Sequence, residues 1–248
     1  MNFLKKRALI PVFEDYNKIP YWNGEDLNGK TLLIFHHNKY GDCISSSRFI
    51  PWLKKYYDCT VKMAVKKPLM RLFASQPFCH SVYEILKDKE IEADYRIWAF
   101  DLQMDLTDKL REPWLKVPYG DPFEVRTVGY VYNSSLQVKN RNEEVFTNLR
   151  TLYPDVRFLS LQYENSDVPY SDFYELGEIV QRMKLILTVD TAISHLSPAL
   201  GVETWVMSVN SFYSHRQDVW YDRIVLTDEN QLPFVLKNFW LPTPRAAL

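Results

Sequence analysis

Short apolar runs alternate with amphipathic segments along most of the chain, and their order sets the expected architecture. Residues 31–36, 61–65, 82–86 and 95–100 are rich in β-branched or aromatic side chains, as buried strands are. Between the first two, 45–57 repeats Phe49, Ile50, Leu53 and Tyr57 at helical spacing with Lys54 and Lys55 outside. An early proline opens a shorter helix over 68–75. The order strand, helix, strand, helix, strand predicts a parallel sheet. Residues 111–122 hold three prolines and a glycine without periodicity and read as a linker. A second series follows: strands over 127–132, 158–161, 185–189, 203–209 and 219–226, with helices over 144–152, 172–183 and 233–239. The expected fold class is α/β, with two similar lobes, 1–122 and 123–248, each with a parallel sheet, and a cleft between them.

The stretch from Leu185 to Gly201 carries the densest signal. Leu185 to Val189 is a strand covered on both faces, Asp190 and Thr191 are helix-capping types, and Ile193, Leu196 and Leu200 share one helical face. Gly201 stands where a helix ends in positive φ. Ligands of open α/β sheets bind outside the carboxyl ends of strands, where backbone N–H groups meet an anion, so this junction reads as a phosphate site.

Composition narrows the classes. The 46% hydrophobic and 25% charged residues are ordinary globular values, and a formal charge of −1 gives no global attraction to nucleic acid or an anionic membrane. The only local basic cluster, Lys54, Lys55, Lys62, Lys66 and Lys67, reads as a solvated face. Cys43, Cys59 and Cys79 lack metal or disulfide spacing, no signal peptide is recognisable, and no segment reaches the roughly 20 apolar residues of a membrane span, so a cytoplasmic location is expected. There is no Walker loop, GxGxxG, HExxH or GxSxG, which counts against P-loop enzymes, nicotinamide dehydrogenases, zincins and α/β-hydrolases.

Three constellations could carry chemistry. Lys39-Tyr40-Gly41-Asp42 follows the first strand; it is either a turn with an N-cap or a place where the Asp42 carboxylate takes a proton from an acceptor hydroxyl. Asp190, Thr191 and His195 form either a capped helix or a donor site, Thr191 suiting a diphosphate and Asp190 sugar hydroxyls. Asn133-Ser134-Ser135, with Lys139 and Arg141 beyond, is either a solvated loop or a set of small polar groups with cations that offset a leaving phosphate. No Asp-x-Asp pair stands convincingly after a strand, so no metal is expected, and helix N–H groups and cations would stabilise the leaving group instead.

Several of these segments resemble a known family. Val189 to Leu196, then Ala199-Leu200-Gly201 and Trp205-Val206-Met207, is similar to the C-terminal signature of glycosyltransferase family nine, the ADP-heptose:lipopolysaccharide heptosyltransferases, and of the related modules that follow tetratricopeptide arrays. Tyr21 to Glu25 with Leu27, Gly29 to Leu33, and Gly41-Asp42 before Arg48-Phe49-Ile50-Pro51 resemble the start of the same modules. Val128 to Tyr132, Leu159 to Gln162 and Trp220-Tyr221 fall in the expected order. The resemblance implies a GT-B fold of two Rossmann-like lobes whose parallel sheets face a central cleft, a nucleotide-sugar donor on the C-terminal lobe, an acceptor facing the N-terminal lobe, and metal-free inversion at the anomeric centre. It makes Asp42 the base and Asp190-Thr191 the donor-binding pair. It also sets Lys139 or Arg141 near the phosphate-binding cation and brings Glu164 toward the ribose.

The chain departs from the family in being shorter than usual, in Pro198 within the helix after the motif, and in having no tetratricopeptide repeat before the catalytic module, so heptose and lipopolysaccharide do not follow. The expected activity is metal-independent inverting transfer of a sugar from a nucleotide-diphosphate donor to a saccharide or other hydroxyl acceptor, with no cofactor besides the donor. Two alternatives stay open: a non-catalytic nucleotide or nucleotide-sugar binding module, and a glycosyltransferase acting on modified nucleic acid.

Overall fold

The computed structural model describes residues 16, 18–37, 39–88, 90–102, 112–123, 126–134, 140–207, 225–226 and 232–240. The first lobe carries strands β1 (Thr31–Phe35), β2 (Thr60–Val65), β3 (Ser81–Glu84) and β4 (Tyr95–Trp98), with helices α1 (Tyr40–Ser47), α2 (Phe49–Tyr56) and α3 (Lys67–Ala74). The second carries β5 (Thr127–Val131), β6 (Arg157–Ser160), β7 (Leu185–Thr188), β8 (Thr204–Met207) and β9 (Val225–Leu226), with α4 (Glu144–Leu152), α5 (Phe173–Gln181), α6 (Ile193–Ala199) and α7 (Leu232–Trp240). Among the described residues every strand pair is parallel, in the orders β3-β2-β1-β4 and β6-β5-β7-β8-β9. In each sheet the chain reverses its direction of travel beside the first strand of the lobe, β1 or β5, and crevices that accept ligands open at such points. Among the described residues, no helix is long and apolar enough to cross a membrane.

Strand alternation divides the side chains between layers. Leu32 and Ile34 of β1 enter an inner core with Val61, Met63 and Ile97, while Leu33 and Phe35 turn outward onto Tyr16, Ile19 and Trp98. In the second sheet Ile186 faces the inner core, and Leu185, Leu187 and Val128 face an outer one closed by Phe146, Leu149, Leu232 and Leu236. The inner core is continuous across the lobes, since Ile44 and Leu69 belong to the same cluster as Leu176, Ile186 and Leu196. Each fully buried aliphatic side chain of this kind contributes about 1.5–3 kcal/mol.

Gly129 shows how tight the layering is. A Cβ there would lie 2.4 Å from Met183 Sδ and 2.8 Å from both Ile186 Cδ1 and Leu161 Cδ1. Gly129→Ala is therefore expected to overpack the inner core and destabilise the protein by about 1–3 kcal/mol, read as a lowered urea midpoint at unchanged slope.

Two local readings of the sequence are corrected. The single helix expected over 45–57 is two, α1 beginning at Tyr40 and α2 at Phe49, with Arg48 shared between their ends. Pro51 has no N–H to continue the first helix but fits the first turn of a new one. The start at Tyr40 is tertiary: Tyr40 packs on Phe173 with ring centroids 5.0 Å apart, so a polar segment winds into a helix because its face has a partner.

The stretch 111–122, read as a linker, runs between the two lobes. Its described part makes no helix or strand but is tied to both lobes: the N–H groups of Trp114 and Leu115 bond Ala199 O, Trp114 Nε1 bonds Ser47 Oγ, and Gln76 exchanges hydrogen bonds with both the N–H and the C=O of Lys116. The second correction is that Asp190 and Thr191 do not cap α6; its N-cap is Ala192, with no side-chain cap bond. Its C-terminal end follows expectation, with Gly201 at φ +81° and the bonds Val202 N–H to Ser197 O and Gly201 N–H to Pro198 O of a Schellman closure. Pro198 is accommodated in the last turn of α6. The expected strand residues 219–224, including Trp220-Tyr221, lie outside the described residues.

Candidate active site

A cavity of about 850 Å³ opens between the lobes at the carboxyl ends of both sheets. Lys39, Tyr40, Gly41 and Asp42 reach it from beyond β1, and Lys66 and Pro68 from beyond β2. Asn133 and Ser134 enter after β5, Gln162 and Tyr163 after β6, and Asp190, Thr191, Ala192 and His195 after β7. Asp172 and Phe173, at the start of α5, complete the wall.

Two helix ends bring the first- and second-lobe residues together. Asp42 lies in the first turn of α1, whose N-cap is Lys39, so its carboxylate is not the cap that a plain turn would have made of it. Gly41 lets α1 touch α6: a Cβ on it would lie 2.7 Å from His195 Cδ2 and 3.2 Å from Ala192 Cα. A side chain there would have to displace the His195 ring and press on the Ala192 backbone, so glycine permits the close approach that sets Asp42 and the Asp190–His195 segment on one cavity. His195 Nε2 stands 3.8 Å from Asp190 Oδ1, and Thr191 Oγ1 is 3.2 Å from Thr188 Oγ1. The β5 and β6 loops are joined by a reciprocal pair, Asn133 N–H to Gln162 Oε1 at 3.2 Å and Gln162 Nε2 to Asn133 O at 3.3 Å, while Ser134 N–H bonds Asn140 Oδ1 at 2.7 Å.

Of the residues singled out in the sequence, Asp42, Asp190, Thr191, His195, Asn133 and Ser134 line this cavity. Arg141 is anchored at the end of β5 through its N–H to Tyr132 O, at 2.9 Å, and is not among the lining residues. Glu164 is exposed in the short turn Tyr163–Asn165, one residue from the lining Tyr163. Lys139 lies outside the described residues. Lys66, read as part of a solvated basic face, instead lines the cavity, with its Nζ 5.5 Å from the centroid of the Tyr40 ring. Lys62 of the same cluster bonds Glu92 O. The aromatic wall of Tyr163, Tyr170 and Phe173 was missed, because a tyrosine in a loop has no periodicity to mark it; the signal available was the cluster Tyr163, Tyr170, Phe173 and Tyr174 around an acidic helix start.

His36, just beyond β1, is 1% exposed, with neither ring nitrogen hydrogen-bonded among the described residues. Burial, with smaller contributions from His37 and Lys66, pushes its imidazole down to about 3 from the ordinary 6.5. Between those values the unfolded chain binds a proton that the folded one refuses, so stability is full above about pH 6.5 and is lost as pH falls toward 3. Melting midpoints measured from pH 7 to pH 4 should decline, and His36→Leu should make the decline shallower.

No family model and no curated protein matches the chain by sequence. Its solved structural neighbours define a class: the fold is the GT-B fold of family-nine glycosyltransferases. The iron-containing dodecameric glycosyltransferase TibC from enterotoxigenic E. coli superposes with a TM-score of 0.60 at 14% identity, over 74% of this chain and 59% of TibC. The chain thus spans less than two thirds of TibC. A family-nine glycosyl transferase from Veillonella parvula gives 0.58 at 12% identity, over 87% and 93% of the two chains. The E. coli heptosyltransferase WaaC with ADP gives 0.58 at 12%, over 84% and 96%. At these identities the likeness is one of fold. TibC holds iron, but among the described residues here no three His, Cys, Asp or Glu side chains come together to hold a metal.

Proposed function

We propose that this chain is a glycosyltransferase that moves a sugar from a nucleotide-diphosphate donor to an acceptor hydroxyl with inversion and without a metal. The observation that carries the reading is the single cavity shared by Asp42 on the first lobe and by Asp190, Thr191 and His195 on the second. Asp42 is the base: its carboxylate takes the acceptor proton as the acceptor oxygen bonds to the anomeric carbon and the bond from that carbon to the diphosphate breaks. Inversion follows, because attack and departure occur on opposite faces of one carbon. The departing diphosphate is held by Thr191, His195, Asn133 and Ser134, and its charge is offset by Lys39 and Lys66, both on the cavity wall. Asp190 accepts hydrogen bonds from donor hydroxyls. TibC has been obtained in complex with ADP-D-β-D-heptose, which supports a nucleotide sugar as the class of donor here. The lobes divide near residue 122 in this reading, donor on the second and acceptor on the first.

The test is calorimetry with ADP, UDP and GDP, followed by release of nucleoside diphosphate from the corresponding sugars with a pool of saccharide acceptors. Binding of at least one nucleotide, turnover that survives a chelator, and about tenfold weaker binding by Thr191→Val are expected. Donor bound but never consumed would make the chain a binding module, and loss of turnover in the chelator would remove the metal-free mechanism.

A further inference from the structure

We infer that Arg71, a first-lobe residue, is a positioning residue for the second-lobe wall of the cavity, a role that rests on the donor reading above. Arg71 lies in the last turn of α3 and crosses to the first turn of α5. Its Nη1 is 3.1 Å from Glu175 Oε1 and 3.8 Å from Asp172 Oδ2, and its guanidinium carbon stands 4.2 Å from the centroid of the Tyr174 ring. One planar cation thus meets three successive features of the opposite lobe, and a guanidinium fork on an aromatic face fixes orientation as well as charge.

The contacts continue from Arg71 to the cavity. Glu175 Oε2 accepts from both Ser171 N–H and Ser171 Oγ at 2.8 Å, and Asp172 Oδ1 accepts from Glu175 N–H at 2.9 Å. Ser171, Asp172 and Phe173 line the cavity. Tyr170 is tied back to the end of β6 by its hydroxyl, which donates to Leu161 O at 2.8 Å, and its ring packs on Tyr163 at 5.7 Å. The wall from Leu161 to Phe173 is therefore held at its β6 end by backbone and at its α5 end by a cation from the other lobe. The Glu175 carboxyl sits below its ordinary range, chiefly through the Ser171 bonds and then Arg71. Arg71 and Glu175 are 52% and 37% exposed, and ion pairs this open contribute little to global stability; the work left to this one is geometric.

Hydrogen exchange and nucleotide calorimetry on the full chain separate the two roles. Arg71→Ala should speed exchange of the 161–173 amides about tenfold while those of β5 and β7 hold. It should also weaken nucleotide binding about five- to tenfold with little change in melting midpoint. Glu175→Ala should also weaken binding and speed exchange there, and the double variant should lose less than the sum of the two single changes, because the Arg71–Glu175 contact is common to both. Arg71→Lys, which keeps the charge without the fork or the stacking, should fall between, and about 0.5 M NaCl should imitate it in the unaltered protein. Unchanged exchange at 161–173, exchange accelerated equally throughout both sheets, or additive losses in the double variant would overturn the assignment. If the unaltered chain binds no nucleotide, the proposed function fails and the exchange experiment decides the role of Arg71 by itself.

Discussion

Asp42→Asn should abolish most sugar transfer, by about 100- to 10,000-fold in kcat, the range over which a positioned general base acts. Asparagine matches aspartate in shape and is as good a residue at helix starts, so α1 and its contact with α6 should persist. Nucleotide affinity, carried by the second lobe, should stay within about twofold, as expected when an interaction made only in the transition state is removed. Both quantities must be measured, by calorimetry and by initial rates. Full transfer by the asparagine variant would remove Asp42 as the base, and parallel loss of binding and turnover would make it a donor ligand.

The second large effect is expected at Gly41. Gly41→Val drives carbon into a space where even a Cβ would lie 3.2 Å from Ala192 Cα and 2.7 Å from His195 Cδ2. The His195 ring can swing aside, but the Ala192 backbone cannot, so α1 and α6 must separate. Overpacking of this kind costs about 1–3 kcal/mol and should lower the melting midpoint by several degrees. The change in transfer should exceed what the lost stability explains, because the same contact sets the distance from Asp42 to the donor segment. Gly129→Ala is the natural control, since it overpacks the inner core from β5 and should lower stability with less effect on turnover in the protein that remains folded.

How much of this was legible in the sequence varies with the range of the interactions involved. The strands β1, β2, β5 and β7 were readable because each is a short apolar run whose residues find burial on one face or the other. Helix α4 was predicted over its whole length, its apolar positions being set by a local 3.6-residue period. Gly201 was readable because a left-handed backbone favours glycine wherever it occurs. The start of α1 was not, since Tyr40 and Gly41 are helical on account of Phe173, Ala192 and His195, all distant in the chain. Lys66 was assigned to a solvated face because nothing local distinguishes a lysine aimed at a cavity from one aimed at bulk water. The same holds for Tyr163 and Tyr170, and for Arg71, whose partners Asp172 and Glu175 lie about a hundred positions on.

The sequence alone determined the two parallel α/β series, the strand-to-helix junctions that hold Asp42 and Asp190-Thr191, and the helix end at Gly201, because periodicity, β-branching and backbone freedom act within a few residues. Only the tertiary structure decided that those junctions share one cavity, that the proline-rich segment 112–123 straps the lobes together, and that capping residues were released from capping. Those outcomes depend on which distant surfaces fit: a missing Cβ at Gly41 that admits α6, and an inner core built from both lobes at once.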